Sequence, residues 1–293
     1  MLNSIGALAR RRLLDATLSS KSTADHAGST PLAALDIEQA LALAWPGGCA
    51  VETVAITGST NEDLVARART RQSPQCLLRA ADFQTGGRGR QQRSWRAAPG
   101  DALLFSVAVP MVVVPATLSA VTLACGVALG ESLAKHGVAV QLKWPNDIRV
   151  NGHKLGGILT ELVMDRTGRY TLVIGAGINL RLDDAARRAI EQPVIALDQL
   201  LPASIDRRRE PWIGQFGGEV IAAAHHFLRE GFEPFFARFN RLLEARGEIV
   251  DVVDGNRQTL SGRLVEVDRL GRLVIESGGV NHRVSVGDVS VRQ

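Results

Sequence analysis

From Ala81 to Trp95 the chain reads ADFQTGGRGRQQRSW, a stretch suited to holding an anion and unsuited to a core. Gly86, Gly87 and Gly89 raise the entropic cost of ordering the backbone, but they let its N–H groups approach a ligand closely. Arg88, Arg90 and Arg93 do not bury without partners, and their planar forks match carboxylate and phosphate oxygens. Trp95 offers a flat face for a purine, or a stop for the loop. A mobile loop that orders around a phosphate offsets its entropy cost at binding. The glycine spacing is not a dinucleotide fingerprint, because no strand–helix–strand pattern with a following acid surrounds it. A plain surface loop or a short Arg/Gly nucleic-acid contact are the alternatives.

Four further stretches have residue types that could do chemistry. Gly58-Ser59-Thr60-Asn61 follows a strand pattern. Its hydroxyls and amide either cap the next helix, through Ser59 or Thr60, or hydrogen-bond a polar ligand head. In Lys143-Trp144-Pro145-Asn146-Asp147, Pro145 forces Trp144 into an extended conformation, so Lys143 and Asp147 flank a stiff turn. The alternative there is a strand-ending turn with a surface ion pair. Lys154 stands just before Leu155-Gly156-Gly157-Ile158-Leu159, where glycines inside a strand mark close approach of a ligand or of backbone. Gly175-Ala176-Gly177-Ile178-Asn179 repeats the theme: small residues at a strand end, then an amide, with a bulge as the alternative.

Secondary structure must position these groups. The alternation of VETVAIT predicts a strand from Val51, followed by a helix that opens at Asn61 with acids in its first turn. Asp36 is placed to cap a short helix that ends near Trp45. Strands are predicted from Cys76 to Ala81, Ala102 to Pro110 and Val138 to Leu142. Leu118, Val121, Cys125, Leu129 and Leu133 make a helical stripe closed by Gly137. Leu155–Met164 and Tyr170–Asn179 read as a long hairpin. Residues 183–211 look irregular, with Arg207-Arg208-Arg209 read as a solvated run, and two helices split by Gly231 follow from 212 to 246. From Glu248 short strands alternate with DGN, RLG and GG turns, the texture of a small β-barrel. The fold class is therefore α+β followed by a β module.

Composition narrows the partners. The chain has 293 residues, is 45% hydrophobic and carries a net charge of +4, which suits nucleic acid and polyanionic small substrates equally. No run is long and apolar enough for a membrane span, and the first residues lack the order of a secretory signal. Three widely spaced cysteines, Cys49, Cys76 and Cys125, predict a reducing cytoplasm with no disulfide frame and no zinc site. Six histidines without a ligand cluster predict no resident metal.

The order STN, GRGRxxRxW, KWPND, KLGGIL, GAGINL and a terminal β module resembles the biotin protein ligases, over about residues 50 to 290. The resemblance implies a catalytic domain like that of class II aminoacyl-tRNA synthetases, with a mixed or antiparallel sheet, and a C-terminal SH3-like barrel. The implied layout is a poorly ordered tail at 1–34, a biotin/ATP-binding catalytic domain at 35–246 and a barrel at 247–293. The implied reaction joins biotin and ATP, with Mg²⁺, into biotinyl-5′-adenylate and passes biotin to one lysine of a biotin carboxyl carrier protein domain. By the same resemblance Ser59, Thr60, Asn61, Gln84, Arg88, Gly89, Arg90, Gly156 and Gly157 would contact biotin or close over it. Lys154 would lie between the biotin carboxylate and the α-phosphate, with Arg88 and Lys143 completing the catalytic set. Arg90, Arg93, Trp95, Asn146, Asp147 and Asn179 would bind ATP or the adenylate.

Gln91-Gln92 stand where some members carry an Arg-Gly pair, a change that bears on loop mobility and adenylate retention. The first fifty residues show no two-helix DNA reader, so the expected form is a ligase with no DNA partner and no membrane partner. An exposed edge strand of the central sheet could pair with a second copy, as a homodimer, or with the carrier. Rival readings are a lipoate or octanoate ligase of the same superfold, a nucleic-acid-binding regulator, and a biotin-binding module without catalysis. The intact GRGRxxRxW and KWPND oppose the first. Lys154 beside the arginine loop opposes the last.

Overall fold

The computed structural model describes residues 31–291 except 71–74, 184–186, 189, 191 and 256, together with the side chain of Gln92. The expected N-terminal tail thus lies almost wholly outside the described residues. A seven-stranded sheet runs in the order β1 (Ala50–Thr57), β2 (Leu77–Gln84), β3 (Ala102–Met111), β7 (Tyr170–Asn179), β6 (His153–Met164), β5 (Asp147–Val150) and β4 (Gln141–Lys143). Only β1 and β2 pair in parallel; every other neighbour is antiparallel. The hairpin predicted from Leu155 to Asn179 is β6–β7, and the strand predicted from Val138 is the later, three-residue β4.

Strand β3, ALLFSVAVPM, is buried over nearly its whole length because helices cover both of its faces. Its odd-numbered residues Leu103, Phe105, Val107 and Val109 join one core with α1 (Ala34–Ala44), α3 (Val121–Ala134) and α4 (Arg209–Glu230). On the opposite face Ala108 and Val173 pack under Leu64, Val65 and Ala68 of α2 (Thr60–Arg69). The period of two thus sorts one strand between two cores. Helix α3 is buried on nearly every side, so its expected stripe is core and so are the residues between.

Two local expectations are corrected. Helix α1 starts at Ala34, so Asp36 lies in its first turn and does not cap it; it reaches Arg208 at 3.3 Å. Arg209 is not part of a solvated run. It sits in the first turn of α4, 6% exposed, and meets the buried Asp82 of β2 at 2.5 Å. Removing one partner of such a pair strands a buried charge, at a cost of about 3–5 kcal/mol. Arg209→Met is therefore expected to lower the unfolding midpoint by roughly 10 °C. Thermal unfolding followed by circular dichroism checks this, and a change within 2 °C of wild type contradicts it.

After α5 (Glu233–Leu242) the chain forms a second sheet in the order β11 (Val280–Val284), β10 (Leu273–Ser277), β9 (Arg257–Val267), β8 (Ile249–Asp254) and β12 (Asp288–Val291). All its pairings are antiparallel, but β11 and β12 stay at the two edges, so no closed barrel forms among the described residues. The first part of β9 pairs with β8 and its last part with β10, and the changeover falls beside Gly262. A Cβ there would lie 2.2 Å from the Glu276 carbonyl, so only glycine lets the strand turn that corner.

Candidate active site

Beyond the N-terminal end of α2 no helix among the described residues covers the sheet, and a cavity of about 710 Å³ opens there. Its floor includes Gly157, Gly175 and Gly177, set by the strand register. Asp147, Gly157, Gly177 and Leu104 sit opposite one another across β5, β6, β7 and β3, and Gly175 stands opposite Ser106. The glycines leave room that other residues occupy. A Cβ on Gly177 would lie 2.7 Å from the Trp95 indole, and one on Gly175 would lie 2.2 Å from Asn61 Oδ1.

At one wall, Ser59, Thr60 and Asn61 are buried and line the cavity. Ser59 takes the N-cap position of α2 without a side-chain cap hydrogen bond. Gln84 caps the helix in its place, its Oε1 accepting the Thr60 N–H at 2.7 Å and the Thr60 hydroxyl at 3.1 Å. The expected Ser59 or Thr60 side-chain cap is therefore replaced by one from β2, and Ser59 is part of the cavity lining. Thr60 Oγ1 lies 2.7 Å from Ser106 Oγ, which donates to Asn61 Oδ1 at 2.6 Å. Asn61 Nδ2 in turn donates to Glu161 at 2.9 Å. Such a connected network holds each polar group in one orientation.

Glu161 carries the network into the arginine loop. Arg88 reaches Glu161 at 3.3 Å and Glu62 at 3.2 Å. The loop itself is a small hairpin. Gly89 N–H bonds to Arg93 O at 2.7 Å, Trp95 N–H to Gly87 O at 2.8 Å, and Gln91 at its tip takes a left-handed φ of 52°. Arg90 and Arg93 both turn to Asp288 of the second sheet, at 3.0 and 2.6 Å. One carboxylate thus occupies the two guanidinium forks that the sequence assigns to an anion.

Lys154 lies deeper. Its Nζ is 2.8 Å from Asp147 Oδ1 and 5.8 Å from the centre of the Trp95 ring. Lys143 lines the same cavity, and burial, then the nearby Arg149 charge, holds it below the usual lysine range. Trp95 Nε1 is buried without a hydrogen-bond partner among the described residues. Trp144 is not a ligand platform. It lines the cavity but is 4% exposed, and its indole N–H is committed to Gly271 O, beside the second sheet, at 3.1 Å. Among the described residues no three His, Cys, Asp or Glu side chains cluster to hold a metal.

All but one of the site residues expected from sequence line this cavity: Ser59, Thr60, Asn61, Gln84, Arg88, Gly89, Arg90, Arg93, Trp95, Lys143, Asn146, Asp147, Lys154, Gly157 and Asn179. The other, Gly156, faces away, and its missing side chain admits the Gly177 carbonyl and Ile178. Two amides are committed to backbone. Asn146 Nδ2 donates to Ile158 O at 3.0 Å, and Asn179 Nδ2 to Ile195 O at 3.1 Å and Lys154 O at 3.3 Å. Sequence reasoning missed Ser106, Glu161 and Asp288. Ser106 was visible as the one hydroxyl inside an apolar strand, and Glu161 as the residue two steps along β6 from Leu159 on the Gly157 face. Nothing local marks Asp288.

Comparison with known proteins agrees with this geometry. Residues 54–179 match the model of the Biotin/lipoate A/B protein ligase family. The chain is 30% identical over 263 residues to the bifunctional ligase/repressor BirA of Escherichia coli K12, covering 89% of this chain and 79% of that one. It is 32% identical over 267 residues to the biotin–[acetyl-CoA-carboxylase] ligase of Mycobacterium tuberculosis H37Rv, covering 88% and 95%. The solved structure of the Aquifex aeolicus biotin protein ligase in complex with biotin and ATP shares the fold, with a TM-score of 0.68, 24% identity, and coverage of 83% of this chain and 98% of that one. From the similarity along nearly its whole length, this chain belongs to the biotin–protein ligase family of enzymes.

Proposed function

We propose that the protein joins biotin and ATP into biotinyl-5′-adenylate, releases pyrophosphate, and transfers the biotinyl group to a lysine of a biotin carboxyl carrier domain. The observation that carries this reading is one cavity lined by two chemically distinct sets, with Lys154 in the same lining. Ser59, Thr60, Asn61 and Gln84 with the glycine floor suit a compact polar head, and Arg90, Arg93 and Lys143 suit a polyphosphate. The names of the Escherichia coli and Mycobacterium tuberculosis relatives support the same activity.

In the first step a carboxylate oxygen of biotin attacks the α-phosphorus. The bond from that phosphorus to the bridging oxygen breaks, and pyrophosphate leaves with the charge. Lys154 orients the carboxylate and offsets the charge that builds on the phosphoryl oxygens. In the second step the carrier lysine amine attacks the acyl carbon; an amide forms, AMP leaves and a proton is released. Asp147 and Asp288 are the carboxylates that line the cavity among the described residues, and both are paired with cations. Mg²⁺ would therefore enter with the triphosphate and offset its charge, and Asp147 would be the cavity carboxylate to help hold it. A bound triphosphate competes with Asp288 for Arg90 and Arg93.

Arg88, in the cavity lining, ties the arginine loop to Glu62 and Glu161. Each exposed ion pair contributes under ~1 kcal/mol, and glycine adds backbone freedom of similar worth. Arg88→Gly is expected to raise escape of the adenylate into solution roughly tenfold. Mass spectrometry of the filtrate measures it, and an unchanged leak removes Arg88 from the closure. Transfer is tested by incubating the protein with ATP, Mg²⁺, biotin and a biotin carboxyl carrier domain. The carrier should gain one biotinyl mass, and its acceptor Lys→Arg variant none. Adenylate formation with no carrier modification would restrict the reading to the first step.

A further inference from the structure

Cys49 and Cys76 stand one residue before β1 and β2, at the start of the parallel pair. The ladder sets Ala50 opposite Leu77, and the Ala50 N–H donates to the Cys76 carbonyl at 3.0 Å. The two cysteines are therefore register partners on adjacent strands. Strand spacing places their Cα atoms about 4.8 Å apart, inside the window a disulfide spans without backbone movement. Their Sγ atoms lie 2.7 Å apart, closer than unbonded sulfurs ordinarily approach. Both residues are half-buried, so a small oxidant reaches them, whereas Cys125 is fully buried elsewhere.

We propose that Cys49 and Cys76 form a reversible intramolecular disulfide, contrary to the expectation that the cysteines stay apart. The oxidant is a low-molecular-weight disulfide such as glutathione disulfide. One thiolate attacks it, giving a mixed disulfide and one glutathione thiol. The second cysteine thiolate then attacks the protein sulfur, closing the Cys49–Cys76 bond and releasing the second glutathione thiol. Two electrons pass from the cysteine pair to glutathione, and two protons are accounted for in the two thiols released.

The ring so closed contains β1 and α2, and with them Ser59, Thr60 and Asn61, which line the ligand cavity. Because the strands are already paired in the bridged register, the bond holds that segment without redrawing the site. It acts on the unfolded chain, by closing a loop of intermediate length. The Cys76 thiol and burial together push the Cys49 thiol up, so exchange is slow and the pair is a staple, not a nucleophile.

The test uses the full chain in graded mixtures of reduced and oxidised glutathione, followed by acid quench, denaturation and maleimide labelling. With its three cysteines the reduced protein should take three labels. The oxidised protein should take one, on Cys125, with a peptide linking residues 49 and 76 and a mass lower by two hydrogens. The oxidised form should melt about 5–10 °C higher. Cys49→Ser and, separately, Cys76→Ser should abolish that shift. Three labels at every ratio, a stable glutathione adduct without the link, or a link to Cys125 would each overturn the proposal.

Discussion

Replacing Lys154 with alanine should slow biotinyl-adenylate formation by about 10²–10³-fold, the usual loss when one donor to a developing oxyanion is removed. ATP affinity should fall less than tenfold, because Arg90, Arg93 and Lys143 line the same cavity and remain. The asymmetry follows from where Lys154 stands. It pairs with Asp147 at 2.8 Å, over the Trp95 ring and beside Gly157, whereas Arg90 and Arg93 pair with Asp288. An interaction stronger in the transition state than in the ground state lowers kcat more than it raises KM. Pyrophosphate exchange at saturating ATP, set against equilibrium nucleotide binding, separates the two. Equal losses would make Lys154 a holder of ligand only. Lys154→Arg keeps the charge but changes its position, and should recover only part of the rate.

Gly177→Val should weaken biotin binding about 100-fold while leaving the fold intact. A Cβ at this position meets the Trp95 indole at 2.7 Å, and the Trp95 main chain is held by its N–H bond to Gly87 O at 2.8 Å, so the ring and not the loop must shift. The displaced ring then enters the cavity. Strand β7 is central and extended, so valine suits its backbone and the change in melting temperature should stay within about 5 °C. A 100-fold loss is about 2.7 kcal/mol of binding. A cycle with Trp95→Ala identifies the cause. If the indole is what valine strikes, the double variant binds no more weakly than Trp95→Ala alone. Additive losses would place the damage elsewhere on the strand.

The parts of the site that sequence revealed are those whose residue types make little sense as core. Arginine alternating with glycine, Trp-Pro between a lysine and an aspartate, and paired glycines inside strands all oppose simple burial. Even there, spacing did not say which glycine lined the cavity. Gly157 floors the cavity, while Gly156, one step along a period of two, admits a neighbouring carbonyl. Contacts between distant segments were not legible. Arg209 looked like one of three surface arginines because Asp82 lies far away in the chain. Cys49 and Cys76 looked isolated because only the β1–β2 register unites them. Asp288 was silent because a lone acid at a strand start has no local signature. The cap of α2 was misassigned for the same reason: Ser59 is the local candidate, and Gln84 arrives from β2. Short strands after Glu248 gave the second sheet, but closure depends on whether its edges meet, and local pattern does not encode that.

The most direct measurement mixes the purified protein with ATP, Mg²⁺ and either biotin or lipoate, and looks for pyrophosphate and the acyl-adenylate by mass spectrometry. Pyrophosphate and biotinyl-5′-adenylate with biotin, and neither with lipoate, is the predicted result. Product with lipoate alone would give the polar wall at Ser59–Asn61 a different acyl substrate. Silence with both acids would contradict the adenylating role of the arginine loop and Lys154.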